Sequence, residues 1–355
     1  MQLKSIAFRA SARLAQVAIN NPAMRRGEQG VGVSLVQAAL LTLKYRLPVS
    51  NRKHGAPDGI FGPETFQAVS KFQGDHKLKV DGVVGQRTIL KLDSLLPEAP
   101  KAKPAPPPAP AHLPPSPSKP ASPRPAVIPT SPDFAIGTND PIIKPDRGAG
   151  PWGSKSKELT TIALEVAIEE DVLPAAYFLI GNDATKHMKH YLGNTGRLLT
   201  IDLEGMVKEV PSAKLLFEGL VGMIKSYVES LPPGTYDVTS KHAWNGYNRQ
   251  SENKNWYFAV GGYSVWPKGK AVVGSGGPGR TCTLALEYKF FDRYNWDGGK
   301  QVKIGPVVVT DEFMGEFHRQ GLAMEYDEVG SIRRNLSWTA GSALPPGQLN
   351  APGSR

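Results

Sequence analysis

The sequence predicts a multidomain protein in which a small all-α domain precedes an α+β domain, with helices first and then a mostly antiparallel sheet. Three observations predict this fold class. A short phrase occurs twice in the first 96 residues, and each copy leads into a helical pattern. A run dominated by proline and alanine follows. Beyond that run, apolar residues recur first at helical spacing and then, after Gly234, in alternation.

The repeated phrase is DGIFG at residues 58–62, with Thr65 behind it, and DGVVG at residues 81–85, with Thr88 behind it. Aspartate can accept a hydrogen bond from its own local backbone, and glycine tolerates a positive φ. Each copy therefore predicts a tight turn that leads into a helix, and the two turn-helix units are expected to pack on each other.

The apolar residues around the two copies predict which side chains form the core. Phe61 and Val84 lie between the glycines and are expected to point inward. Phe66, Val69 and Phe72 follow the first copy at spacings of three, which places them on one face of a helix.

This stretch resembles the small three-helix peptidoglycan-binding domain that is appended to many bacterial and phage cell-wall enzymes. The resemblance begins at Gly30 and Val33, includes Gln37 and Leu40 in the first helix, and ends at Leu92. It implies that peptidoglycan lies in a shallow groove beside the two loops. The residues that it implies shape or border this groove are Asp58, Gly59, Phe61, Gly62, Thr65, Asp81, Gly82 and Gly85. Most of these residues are also explained by the fold alone, since Asp58 and Asp81 suit turn formation.

Net charge, cysteine content and apolar runs limit which partners, cross-links and membrane segments the chain can have. The chain has 355 residues and a formal net charge of +10, which favours anionic partners, but the charge is spread out and no nucleic-acid-binding motif is present. The single cysteine, Cys282, excludes an intrachain disulfide and a cysteine zinc site; it is expected to be a small buried strand residue. We expect no cofactor and no metal. We also expect no transmembrane segment, because no run of about 20 apolar residues occurs.

The first residues read as an amphipathic helix rather than as a signal peptide. Arg9 and Arg13 interrupt the apolar stretch, and Ile6, Leu14 and Val17 fall on one helical face. We therefore expect synthesis in the cytoplasm without a classical signal peptide, and export by another route such as phage lysis or a contact-dependent secretion machine.

The domain boundaries follow from the composition. Residues 1–96 are predicted to hold the leading helix and the wall-binding domain, 97–150 a Pro/Ala-rich linker, 151–340 the α+β domain and 341–355 a flexible tail. Such a linker is expected to act as a tether that raises the effective concentration of the second domain near its substrate. In the second domain, helices are predicted over 157–170, from Pro174, and over 185–192, 212–231 and 311–326, and strands over 235–238, 255–265, 271–273, 281–294, 301–310 and 330–338.

No strong catalytic motif occurs in the second domain, so the candidates rest on residue type and spacing. Asp292 and Asp297 lie in a charged and aromatic run at the end of a predicted strand. Glu316, His318 and Arg319 lie on the following helix; an Asp–His pair would suit general base catalysis, and Arg319 could bind an anionic group. The alternative is that these residues form a tight hairpin and a solvated helix face.

A weaker resemblance links Asp292-Arg293-Tyr294 and His318-Arg319 to colicin M-type toxins, which cut the lipid-linked peptidoglycan precursor. Asn295 stands where that family has a second aspartate, and the spacing to the His-Arg pair is longer. Two further pairs are weaker candidates. Asp202 and Glu204 could act as glycosidase carboxylates, and His187 and His190 could bind a metal, although their pattern is more typical of surface histidines.

These observations favour a wall-anchored antibacterial effector or lysin whose second domain hydrolyses peptidoglycan or its lipid-linked precursor. Peptidoglycan is the expected partner, with a secretion machine and an immunity protein as further ones and no nucleic acid. The alternative is a non-enzymatic toxin or binding protein. Its aromatic β-domain would bind carbohydrate, a receptor or a membrane through Trp244, Tyr247, Trp256, Tyr257, Tyr263 and Trp266.

Overall fold

A computed structural model describes residues 3–9, 11–48, 57–96, 129–145, 147–173, 176, 180–277, 279–296, 301–304, 307–345 and 347–350. The predicted site residue Asp297, residues 49–56 and most of the predicted linker lie outside these residues.

The N-terminal unit is helical. Its elements are α1 (Ile6–Arg9), α2 (Ala12–Val17), α3 (Val31–Thr42), α4 (Pro63–Asp75) and α5 (Gln86–Leu95). The predicted single leading helix is thus two short helices, which are anchored because Asp93 accepts hydrogen bonds from the backbone N–H groups of Lys4 and Ser5.

The two repeated loops lie against the segment before α3. Met24 and Val84 exchange both of their backbone hydrogen bonds, and Phe61 donates its N–H to the carbonyl of Glu28. Phe61 and Val84 are fully buried, which confirms the prediction for both. Phe66 is the exception on its helix face: it is 37% exposed, because its ring covers Gly82 instead of entering the core.

The C-terminal unit is α+β, as predicted, and its helices come mainly before its sheet. The helices are α6 (Leu159–Ala167, continued by a π-helical turn over Ile168–Val172), α7 (Asn182–Leu192), α8 (Leu203–Glu209), α9 (Pro211–Ser230), α10 (Lys254–Ala259) and α11 (Asp311–Arg319). The strands are β1 (Phe134–Ile136), β2 (Leu199–Thr200), β3 (Gly234–Ser240), β4 (Trp244–Tyr247), β5 (Gly262–Val273), β6 (Thr281–Tyr294), β7 (Gln301–Ile304), β8 (Val307–Thr310) and β9 (Tyr326–Thr339).

A seven-stranded sheet forms the base of this unit. Its order is β1-β3-β5-β6-β9-β2, with β4 paired to β5, and every pair is antiparallel except β2 with β9. The even-numbered residues of β6 and β9 face the helices, so Cys282 is buried as predicted, together with Tyr288 and Ile332. β7 and β8 form a separate hairpin.

Three predicted elements need correction. Residues 255–259 are helical rather than extended, because Asn253 caps α10 by accepting a hydrogen bond from the N–H of Trp256. The helix predicted over 311–326 ends at Arg319, since Gly321 adopts a φ of +66°. β1 lies inside the range predicted as linker, because Phe134 is buried in the sheet core and pairs with Ser240.

A segment after β1 crosses the outer face of the sheet. Asp140 accepts hydrogen bonds from Lys268 and Lys289, at 2.6 Å each, and from the indole of Trp266 at 3.1 Å. Burial alone would raise the pKa of Asp140, but these three donors outweigh it and lower the pKa to about 2. The charged side chain therefore fixes the segment that forms one wall of the cleft described below.

The two units share one hydrophobic core, which the tether hypothesis did not predict. Every residue from Val31 to Leu40 in α3 is buried, and one face of this helix contacts α6 of the C-terminal unit. Arg9 and Glu312 form an ion pair of 2.8 Å between α1 and α11. Within the described residues, no helix is long and apolar enough to cross a membrane, and no group of three or more His, Cys, Asp or Glu side chains is placed to hold a metal.

Candidate functional site

The first loop of the N-terminal unit is organised by the buried side chain of Gln37. Its amide nitrogen donates to Asp58 at 2.8 Å and to Thr65 at 2.9 Å, and its oxygen accepts from the N–H of Gly59. Asp58 in turn accepts from the N–H of Ile60 at 2.9 Å, so the carboxylate closes the turn.

The second loop repeats this arrangement around Gln73. Its amide nitrogen donates to Asp81 at 2.9 Å and to Thr88 at 3.1 Å, and its oxygen accepts from the N–H of Gly82. The repeated sequence therefore produces a repeated network in which a glutamine from the preceding helix holds the loop.

In these contacts the residues predicted to border the groove form and hold the two loops. Phe61 and Thr65 are completely buried, and Gly59 and Gly82 have positive φ angles that favour glycine. Asp58 and Asp81 form turns, and Gly62 and Gly85 precede α4 and α5 as N-cap residues. The exposed apolar side chains beside the loops are Ile60, Phe66 and Val80.

The C-terminal unit carries a cleft of about 370 Å³ at the end of the sheet where β4, β5 and β6 meet the crossing segment. The polar residues among those that line it are Lys144, Asn245, Ser264, Asp292 and Arg293. Arg293 forms an ion pair of 2.7 Å with Asp327, directly opposite on β9. The lining thus includes an aspartate, a lysine, an ion-paired arginine and two neutral polar residues.

A buried glutamate lies directly across the sheet from Asp292. Residues opposite each other in an antiparallel pair project on the same face, with Cβ atoms about 4.5–5.5 Å apart, and Asp292 is opposite Glu328. The Glu328 side chain is 0% exposed, and neither of its carboxyl oxygens accepts a hydrogen bond from a described residue. The nearby hydroxyl of Tyr326 donates instead to the backbone oxygen of His187 at 3.1 Å.

His187 reaches this glutamate from α7. Its Nε2 lies 3.1 Å from Oε1 of Glu328, within ion-pair distance, while its Nδ1 lies 2.6 Å from the carbonyl oxygen of Asp183. Burial lowers the pKa of His187 to about 4, and burial followed by the charge of Asp292 raises the pKa of Glu328 well above its usual value. Both shifts favour the neutral forms.

The catalytic residues predicted from the sequence fall into two groups. Asp292 lines the cleft. Glu316, His318 and Arg319 instead fasten α11 to residues 149–155: Arg319 donates to the carbonyl of Ala149, and Glu316 accepts from Lys155 at 2.9 Å.

Both ring nitrogens of His318 have partners. Nε2 lies 2.9 Å from the carbonyl oxygen of Gly150, and Nδ1 accepts the N–H of Glu325 at 3.1 Å. Because one nitrogen must donate and the other accept, His318 is held as the neutral tautomer in a structural contact.

The minor candidates have structural contacts. Asp202 is not on a strand but caps α8 by accepting from the N–H of Gly205, and Glu204 pairs with Arg334. His187 is buried rather than on the surface, and His190 Nε2 lies 2.8 Å from the carbonyl oxygen of Arg197.

The aromatic residues of the alternative hypothesis are mostly part of the core. Trp256, Tyr263 and Trp266 are buried, Trp244 and Tyr257 are half-buried, and Tyr247 is exposed. They do not present one aromatic surface.

Sequence reasoning missed Glu328 and did not place His187. The available signal was the alternation of β9: extended back to Tyr326, the pattern puts Glu328 in phase with the buried Tyr326 and Ile332. An acidic residue at an apolar position of a strand is rare enough to mark a site.

Comparisons with known proteins identify the N-terminal unit. Residues 29–92 match the family model of the peptidoglycan binding domain, so this part of the chain is such a domain. N-acetylmuramoyl-L-alanine amidase CwlL of Bacillus licheniformis is 40% identical over 78 residues, which cover 22% of this chain and 20% of that enzyme. A protein encoded in the bpoA1 3′ region of Kitasatospora aureofaciens is 39% identical over 75 residues, covering 21% of this chain and 58% of that protein.

Among solved structures, PaeM, a colicin M-like bacteriocin produced by Pseudomonas aeruginosa, is similar at 17% identity and a TM-score of 0.27. The similarity covers 45% of this chain and 52% of that one. The chain therefore spans about a fifth of the length of the amidase and about half of the bacteriocin.

Proposed function

We propose that the protein is a peptidoglycan-binding antibacterial effector whose C-terminal unit hydrolyses peptidoglycan or its lipid-linked precursor. The observation that carries the proposal is the cleft at Asp292, which lies in a chain whose N-terminal unit is a peptidoglycan-binding domain. Delivery by a secretion machine, and protection of the producing cell by an immunity protein, are further parts of this proposal.

The lining of the cleft supports an anionic substrate. Lys144 and Arg293 are the basic residues of its lining, and Arg293 is also paired with Asp327. A phosphate-bearing, lipid-linked precursor suits these cations better than a neutral glycan, because guanidinium and ammonium groups bind phosphate oxygens through charge-assisted hydrogen bonds.

Asp292 is assigned the role of general base. Its carboxylate takes a proton from a water molecule, the water oxygen bonds to the scissile phosphorus or carbonyl centre, and the bond to the leaving group breaks with that group taking the electron pair. Lys144 and Arg293 would stabilise the negative charge that develops on the substrate oxygens.

The test compares the full-length protein with Asp292→Asn on two substrates, purified sacculi and the lipid-linked precursor. General base catalysis contributes about 10²–10⁴-fold, so Asp292→Asn should lose activity on that order. The matched control is Asp237→Asn, which removes a half-exposed carboxylate from β3 of the same sheet. Intact sacculi that carry bound protein, together with an intact precursor, would contradict hydrolysis and leave a wall-binding protein.

A further inference from the structure

Buried titratable side chains surround Glu328, which lies opposite Asp292 in the β6–β9 pair. The side chains that face Glu328 come from three elements, namely His187 and Lys186 of α7, Asp292 and Tyr294 of β6, and Tyr326 of β9. His187 is 1% exposed and Glu328 is 0% exposed, so water does not solvate a charge at either site.

Hydrogen-bond requirements determine where the protons lie. A carbonyl oxygen can only accept, so the Nδ1 of His187, 2.6 Å from the carbonyl oxygen of Asp183, carries the ring proton. Nε2 of the neutral ring is then an acceptor without a donor among the described residues. The group that it faces, Glu328 Oε1 at 3.1 Å, becomes a donor when it is protonated.

We propose that Glu328 is a protonated carboxylic acid that shares its proton with Nε2 of His187, and that this neutral pair positions Asp292 in the cleft. The proposal rests on the proposed function, since it makes Glu328 and His187 positioning residues for the base. A neutral Glu328 places no second negative charge opposite Asp292. Asp292 can therefore remain ionised without repulsion from a neighbouring carboxylate. Packing of His187 against Tyr294, with ring centroids 6.0 Å apart, holds the pair rigid.

Infrared spectroscopy of the full-length protein tests the proton without an activity assay. The difference spectrum between wild type and Glu328→Gln at neutral pH should show the carbonyl stretch of one protonated carboxylic acid. Glu287→Gln, on the opposite face of the sheet in the neighbouring strand β6, is the control and should show the loss of a carboxylate instead. A carboxylate band in the Glu328→Gln difference would mean an ion pair with His187 and would overturn the proposal.

Nitrogen-15 NMR gives a second readout on His187. The ring should stay in the Nδ1–H tautomer from neutral pH down to about pH 4, whereas an exposed histidine would gain a proton near pH 6.5. A doubly protonated ring at neutral pH would also overturn the proposal.

Kinetics then test the positioning role. Glu328→Gln keeps a neutral donor toward Nε2 and should keep activity within about tenfold, while Glu328→Leu removes the donor and should lower kcat on the order of 100-fold with little change in KM. In wild type kcat should fall as Glu328 ionises at high pH, and Glu328→Gln should lack this basic limb. Full activity of Glu328→Leu would overturn the positioning role. A wild type inactive on both substrates would refute the proposed function, while the spectroscopic result on the pair would still stand.

Discussion

At the scale of single residues, one glutamine organises each loop of the wall-binding domain. Gln73 is 1% exposed and makes hydrogen bonds to Asp81, Gly82, Val83 and Thr88. A helix residue thus supplies the polar groups that a tight turn cannot provide for itself. The aspartates that make the motif recognisable are therefore parts of a network whose centre lies outside the motif.

We predict that Gln73→Leu destabilises the wall-binding domain by about 3 kcal/mol. The substitution leaves the buried N–H of Gly82 without its acceptor, which costs about 1–3 kcal/mol, and removes one of the two hydrogen bonds of the Thr88 hydroxyl. The measurement is urea-dependent hydrogen exchange of the peptide over residues 81–88. Gln67→Leu changes an exposed glutamine of the same helix and should shift stability by less than about 0.5 kcal/mol. Equal exchange in the two variants would contradict the network.

At the scale of elements, α11 holds residues 149–155, the segment that leads into the C-terminal unit, through side-chain hydrogen bonds. Glu316, whose side chain is 6% exposed, accepts from Lys155, Arg319 and Gln320. Burial raises the pKa of Glu316, but these hydrogen bonds outweigh it and lower the pKa below its usual value. A carboxyl with a lowered pKa contributes stability above its unfolded pKa, and this stability is lost as the pH falls.

Glu316→Gln should therefore destabilise the protein at neutral pH by about 2 kcal/mol, because it weakens the hydrogen bonds that Lys155 and Arg319 donate to a buried carboxylate. The difference from wild type should shrink as the pH falls below about 4.5. The carboxyl of the unfolded wild type then becomes protonated, and the wild type loses the stability that the ionised Glu316 contributes. Chemical denaturation at several pH values measures it. Glu312→Gln, which removes an ion-paired carboxylate that is 37% exposed on the same helix, should cost less than about 1 kcal/mol. A pH-independent loss in Glu316→Gln would assign the effect to packing rather than charge.

The two units differ in how far the sequence predicts them. The wall-binding domain was predictable because its signals are local: each DGxxG turn lies next to the helix that it starts, and Phe61 and Val84 could be placed inside it. The candidate site in the C-terminal unit was not, since Asp292 and Glu328 meet only through the register of β6 on β9, and His187 reaches Glu328 only through the packing of α7.

Local signals also misled in two elements. The aromatic run over 255–259 favours a strand by propensity, yet one capping bond from Asn253 makes it a helix. The strong residue types of α11 suggested catalysis, although Glu316, His318 and Arg319 hold backbone and side chains of residues 149–155.

At the scale of the whole molecule, the shared core joins the wall-binding domain to the C-terminal unit. A helix whose residues Val31 to Leu40 are all buried needs cover on every side, and α6 supplies the side that its own domain does not. The two repeated loops and the cleft are thereby held at a fixed separation. Under the proposed function, binding to the wall would then limit which bonds the cleft can reach, instead of only raising the local concentration.

The shared core predicts that the two units stay together when the chain between them is cut. A protease site inserted within residues 101–128, followed by cleavage, should give fragments that co-elute in size-exclusion chromatography. Arg9→Glu should weaken their association about fivefold, because it opposes Glu312 with a like charge in a partly exposed pair worth up to about 1 kcal/mol. Adding Glu312→Arg restores opposite charges and should recover the affinity. Fragments that separate at micromolar concentration, or a charge swap that recovers nothing, would mean that the units act as the tether hypothesis described.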